Sequence, residues 1–288
     1  MKFFPYWSKA VATQFDRDGN EVSASCWRWS EVSGDDAHRS ALAAAHRVLH
    51  RRMGGEPLGA YSYGQRPLRE EVVQSQFGRH GELAIAVTRN AYGVLVLNTA
   101  QVMFIDVDLP PISLGASLRG FFSRLLGGKG PSAEEQQAAQ ARGRLEAFLD
   151  IHPDWGLRLY RTSAGLRMLV THALFDPCAD ATQAQLESLG CDPLYMRLCR
   201  DQQCFRARLT PKPWRCEHTP NRVVWPHETD EQRRRFENWL AEYKRRQSGY
   251  ATCRFLEALG VETVHPEVAP VVAIHDELSR ALLEMPLA

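Results

Sequence analysis

Two carboxylates one residue apart close an apolar run: Asp106 and Asp108 in QVMFIDVDLP, residues 101 to 110. Met103 to Val107 has the composition of a buried strand, and side chains two apart on a strand share a face. Unpaired charge in such a place is costly, so something must hold the pair. An ordinary solution exists: aspartates often end strands, where they cap a turn or face water, and Pro110-Pro111 marks such an end. The other solution is a divalent cation. Hard oxygen ligands on one face suit Mg²⁺ or Mn²⁺. Two such ions roughly 4 Å apart clamp the attacking and leaving oxygens of a phosphoryl transfer. That chemistry wants a third carboxylate, and cations for the phosphates.

Both occur further along. CDPLYMRLCRDQQCFRARLTPKPWRC supplies Asp192, then Arg200, Arg206, Arg208 and Lys212. Residues 191 to 222 hold seven Lys/Arg against three acidic residues. Arg206 and Arg208 alternate with Phe205, Ala207 and Leu209, so a strand here has one basic and one apolar face. The same region carries Cys191, Cys199, Cys204, Cys216 and His218. The spacing C-x4-C-x11-C-x-H lacks the tight C-x2-C knuckle of strong zinc signatures. Buried thiols are therefore the expectation over a structural Zn²⁺.

The elements that must position these residues follow from periodicity and turn chemistry. Residues 34 to 55 predict a helix capped by Asp35 or Asp36 and stopped by Gly54-Gly55. Residues 61 to 71 predict a short strand leading into a helix. Residues 82 to 109 predict three strands, with turns near Asn90 to Gly93 and Asn98 to Ala100. Residues 132 to 150 predict a helix, with Ser132 and Glu135 as a capping box. Residues 157 to 172 read as strand, Thr-Ser-Ala-Gly turn and strand; His172 falls on the face opposite Arg167 and reads as structural. Residues 176 to 190 predict a loop and helix. Residues 229 to 247 predict an amphipathic helix with Phe236, Trp239, Leu240 and Tyr243 on one face. The tail from 250 onward predicts helix. Trp27, Trp29, Tyr61 and Tyr63 alternate at strand spacing and precede Arg66 and Arg69. Such a mixture can bind single strands, although period-2 aromatics more often pack across strands.

Strands and helices interspersed in this way predict an α+β fold, with mixed or antiparallel sheets flanked by helices. The 288 residues, 44% hydrophobic, form one expected domain, with a core at about 82 to 225 and a helical extension at about 226 to 288. With 35 Lys+Arg against 34 Asp+Glu, global charge neither demands nor excludes nucleic acid. MKFFPYWSKA lacks the apolar run of a signal peptide, and no stretch of about 18 apolar residues occurs. A cytoplasmic location, away from membranes and with the seven cysteines as free thiols, is the expectation.

Three segments in order resemble the catalytic signature of the archaeo-eukaryotic primase superfamily, which includes the primase-polymerases. They are the strand ending in Asp106-Val107-Asp108, the small-residue turn and strand in YRTSAGLRMLV, and the stretch from Asp192 through Tyr195, Phe205 and Arg206 to Lys212. The resemblance covers about residues 101 to 212. It implies an RRM-like catalytic core, with Asp106, Asp108 and Asp192 as catalytic ligands of Mg²⁺ or Mn²⁺. It implies nucleotide or phosphate contacts from Ser163, Arg167, Arg206, Arg208 and Lys212, with nucleic acid and nucleoside triphosphates as partners. One departure is plain. Arg167 stands where the family's second motif, S-x-H, has its histidine; arginine can bind phosphate but cannot accept a proton. The implied function is metal-dependent nucleotide addition to a strand, as in DNA replication. The alternatives are a non-catalytic nucleotide- or nucleic-acid-binding relative, or a metal-dependent phosphodiesterase or nuclease.

Overall fold

The computed structural model describes residues 1, 3–56, 67–109 and 133–288. Strands β1 (Tyr6–Phe15) and β2 (Glu21–Ser30) form an antiparallel hairpin with Trp7 opposite Trp29. Helix α1 (Gly34–Met53) lies on it, packing Ala45 and Leu49 against Ala12 and Ala24. The α1 cap is Ser33, whose hydroxyl accepts from the Asp36 amide, rather than Asp35 or Asp36. Tyr61, Tyr63 and Arg66 lie outside the described residues. The helix expected to begin near residue 71 is instead strand β3 (Glu71–Phe77).

Strands β4 (Leu83–Arg89), β5 (Leu95–Thr99) and β6 (Phe104–Asp108) follow as expected. Helix α2 (Ala133–Ile151) buries Leu145 and Phe148; its proposed capping box lies outside the described residues. Strands β7 (Gly156–Thr162) and β8 (Gly165–Val170) form the expected hairpin. Then come α3 (Asp180–Ser188), α4 (Pro193–Gln202), β9 (Phe205–Arg208) and α5 (Asp230–Gln247). The tail departs from expectation. It contains strand β10 (Cys253–Gly260) before helix α6 (Ala269–Ser279). Strand β10 pairs antiparallel with β7, so the expected helical extension supplies an edge strand to a central sheet.

Among the described residues the strands form the hairpin and two four-stranded sheets, ordered β10-β7-β8-β6 and β3-β4-β5-β9. All pairings within them are antiparallel. The chain is thus α+β, with antiparallel sheets flanked by helices. One apolar core joins the two sheets: Phe104, Ile105, Leu157 and Met168 from the first, Val87, Leu97, Phe205 and Ala207 from the second. Tyr195 on α4 stitches the sheets together. Its hydroxyl donates to the Phe104 carbonyl at 3.1 Å and accepts from the Arg206 amide at 3.2 Å. No described helix is long and apolar enough to cross a membrane.

Candidate phosphate-binding site

Strand β6 is apolar because both of its faces are covered, and its two aspartates meet different surroundings. Asp106 sits opposite Arg167 across the β6–β8 ladder. Every residue of β8 is buried, so a charge there requires a partner. Arg167 finds two. Its Nε and Nη2 donate to the Asp106 carboxylate oxygens at 2.7 and 3.0 Å, and its Nη1 donates to the Arg208 carbonyl at 2.9 Å. Arg167 is only 2% exposed, Asp106 29%. Burial opposes the guanidinium's charge, but the Asp106 carboxylate outweighs it and holds the proton more tightly than usual. The resemblance implied a nucleotide or phosphate contact for Arg167; in the structure its guanidinium is instead committed to Asp106 and the Arg208 carbonyl. Arginine's planar fork matches the carboxylate, and the pair ties β8 to β6 and β9.

Asp108 is at the solvent-exposed end of the same strand. Partial desolvation pushes its carboxyl above the usual range, and the nearby Asp106 and Asp192 push it further. Lys212 and Arg208 pull the other way. Gly165 pairs with Asp108, and a Cβ there would collide with the Val107 carbonyl, so the close approach of the hairpin demands glycine.

Asp192, 86 residues downstream of Asp106, is brought to it by its amide, which donates to the Asp106 carbonyl at 3.1 Å. Its side chain caps α4: its two oxygens accept from the Leu194 and Tyr195 amides, each at 3.2 Å. Pro193 follows at the first helical position, where its missing N–H costs nothing. The three aspartates thus come to one region, but among the described residues they do not form a group arranged to hold a metal ion. Their carboxylates are differently engaged.

The basic strand divides as well. Arg206 is buried, and its Nη2 donates to both oxygens of buried Glu70 at 2.8 and 3.0 Å. Glu70, and not a phosphate, is its charge partner in the structure, although both side chains line the cavity beside Arg208. Arg208 is different. Its Nε is buried without a hydrogen-bond partner among the described residues. Burial lowers its pKa to about 10, with Arg167 and Arg215 adding repulsion. Lys212 is also lowered, by desolvation and then by Arg208 and Arg215. Arg215 closes the group through the Ser163 hydroxyl, so the β7–β8 turn and the segment after β9 meet here. Three cations crowd one another beside Asp108. Arg215 was visible in the sequence only as one count in the basic excess. Glu70 gave no signal at all, since nothing local indicates a partner 136 residues away.

A cavity of about 540 Å³ opens beside these residues, with Asp106, Arg208, Tyr92, Arg69 and Val224 in its wall. Among the described residues no group of three or more His, Cys, Asp or Glu side chains is arranged to hold a metal ion. Cys191, Cys199, Cys204 and Cys216 are buried free thiols, and burial raises the pKa of each. His218 packs against Trp239 and Tyr243. No protein-family model, curated protein or solved structure matches the chain.

Proposed function

We propose that the chain is a primase-polymerase-like protein that binds the phosphates of a nucleoside triphosphate or nucleic-acid strand at Arg208, Lys212 and Arg215. The observation that carries this reading is Arg208. A buried guanidinium nitrogen with no acceptor among the described residues, crowded by Arg167 and Arg215, is relieved by an anion, and phosphate oxygens suit a guanidinium fork. Ser163 places a hydroxyl beside Arg215, whose guanidinium donates to it. The adjoining cavity offers space for the sugar and base.

The resemblance also implies Mg²⁺ or Mn²⁺ on Asp106, Asp108 and Asp192. A site using all three carboxylates does not fit this arrangement. Both Asp106 oxygens are taken by Arg167, and those of Asp192 serve the α4 amides. Of the three, only Asp108 has no such engagement among the described residues, so binding is the reading the geometry supports best.

Nucleotidyl transfer is the second reading. What favours it is the crowding of Asp108 by Asp106 and Asp192, since like charges held together are the setting in which a cation is gained. It requires Arg167 to release Asp106. One experiment separates the readings: a nucleoside triphosphate is titrated with and without Mn²⁺, and incorporation at a primed template is followed beside cleavage of the strand. Binding without incorporation or cleavage is expected. Incorporation abolished by Asp106→Asn establishes the second reading, strand cleavage points to a nuclease, and absence of nucleotide binding overturns the proposal.

A further inference from the structure

The phosphate site is one end of a longer surface. A second cavity, of about 340 Å³, lies against the β1–β2 hairpin and holds Lys9, Trp27, Arg222 and Arg235. Arg69 and Val224 line both this cavity and the one beside Arg208, so the two share a wall. Among the described residues the second cavity is lined by Lys9, Arg69, Arg222 and Arg235 with the carboxylate of Glu228, and Arg235 also pairs with Glu231 at 2.6 Å. Glu228 is engaged by Lys9, at 3.2 and 3.3 Å, which also ties the hairpin to the segment before α5. At the shared wall the Arg69 guanidinium lies 4.1 Å from the centre of the Trp27 ring. At the other end Tyr92 and Trp214, 50% and 47% exposed, meet edge to face with centroids 5.4 Å apart. The Lys212 ammonium lies 5.5 Å from the Trp214 ring.

We infer that these features form one track for single-stranded nucleic acid, running from the Arg208–Lys212 site past Arg69 to Trp27, Arg222 and Arg235. Every base has a π face, so aromatic rings hold bases without reading sequence. Alternating cations hold the phosphates between them. A polyanion without bases uses the cations but gains nothing from Trp27, Tyr92 and Trp214. A single nucleotide fills only one end. The hairpin with α1 then serves to extend the grip on the strand. This inference deepens the proposed phosphate site, which forms one end of the track, and adds residues that site does not use: Arg69, Trp27, Arg222 and Arg235.

The test measures fluorescence anisotropy of labelled oligothymidylate and oligouridylate of about a dozen nucleotides, a length within the span of known single-strand sites. Wild type is compared with Trp27→Ala and Arg222→Glu, each checked for folding by circular dichroism, and binding of a labelled nucleoside triphosphate is followed in parallel. At least one oligonucleotide should bind, with Trp27→Ala weakening it about tenfold. Arg222→Glu, at an exposed position, should weaken it similarly and flatten its salt dependence; it covers the case in which Trp27→Ala fails to fold. Mononucleotide affinity should be unchanged in both variants. If oligonucleotide affinity depends on these residues while the mononucleotide does not bind at all, the track stands and the phosphate site falls. Failure of both oligonucleotides to bind, or unchanged affinity in the folded variants, overturns the track. So does inorganic polyphosphate competing equally well with Trp27 of no consequence.

Discussion

Replacing Arg167 by Met removes the charge while keeping much of the side chain's length and apolar bulk. The change leaves Asp106 facing β8 without a partner. Breaking a buried ion pair from one side costs about 3–5 kcal/mol, because the remaining charge is stranded. Here the lower end applies, since Asp106 retains 29% exposure and water can screen it. The Arg208 carbonyl also loses the Nη1 donor, worth about 1 kcal/mol. Against this, Arg208 loses the repulsion of Arg167. A net loss of about 3 kcal/mol is expected, which for a chain of this size lowers Tm by roughly 6–12 °C. Urea denaturation of wild type, Arg167→Met, Asp106→Asn and the double variant measures it. The double variant should recover much of the loss, because neither charge is then stranded. Nucleotide affinity of the folded Arg167→Met protein should stay within about twofold of wild type. A cost below about 1 kcal/mol, or a tenfold loss of nucleotide affinity at unchanged stability, refutes the reasoning and returns Arg167 to the phosphate site.

Three other outcomes follow from the same geometry. Asp108 titrates above its ordinary value, so the folded state favours the neutral acid and stability falls as pH rises through the folded pKa. Asp108→Asn should therefore be more stable than wild type at neutral pH, and the difference should vanish toward about pH 3, as Tm measured against pH will show. Tyr195→Phe deprives the Phe104 carbonyl and the Arg206 amide of their shared partner and should cost about 1–3 kcal/mol in chemical denaturation; a neutral result means the hydroxyl does not couple the sheets. Arg206→Met strands Glu70 and should cost about 3–5 kcal/mol, with nucleotide binding by the folded protein retained. Selective loss of binding shows that Arg206 reaches the ligand.

Much of the scaffold was legible because it is local. The β4–β5–β6 run, the β7–β8 hairpin and α5 follow from turn residues and periodicity, and the structure has them in place. Strand β10 was not legible: CRFLEALG carries Leu, Glu and Ala, which favour helix locally, and only pairing with β7 makes it extended. Strand β3 likewise owes its state to β4. At the site, the strand period correctly put Asp106 beside Asp108, but position along the strand separates them: one is pressed against β8, the other lies at the open end. Arg206 and Arg208 share a parity too, yet Glu70 draws the first into an ion pair. Period 2 describes direction; a partner distant in sequence decides what a charge in that direction meets.

The central claim is that Arg208 and its neighbours bind phosphate. Isothermal titration of a nucleoside triphosphate in EDTA, into wild type and Arg208→Ala, tests it without recourse to a metal. Arg208 contributes a charge-assisted contact worth about 1.5–3 kcal/mol, so the variant should bind roughly ten- to a hundredfold more weakly while its circular dichroism spectrum is unchanged. Equal affinity in the two proteins contradicts the account.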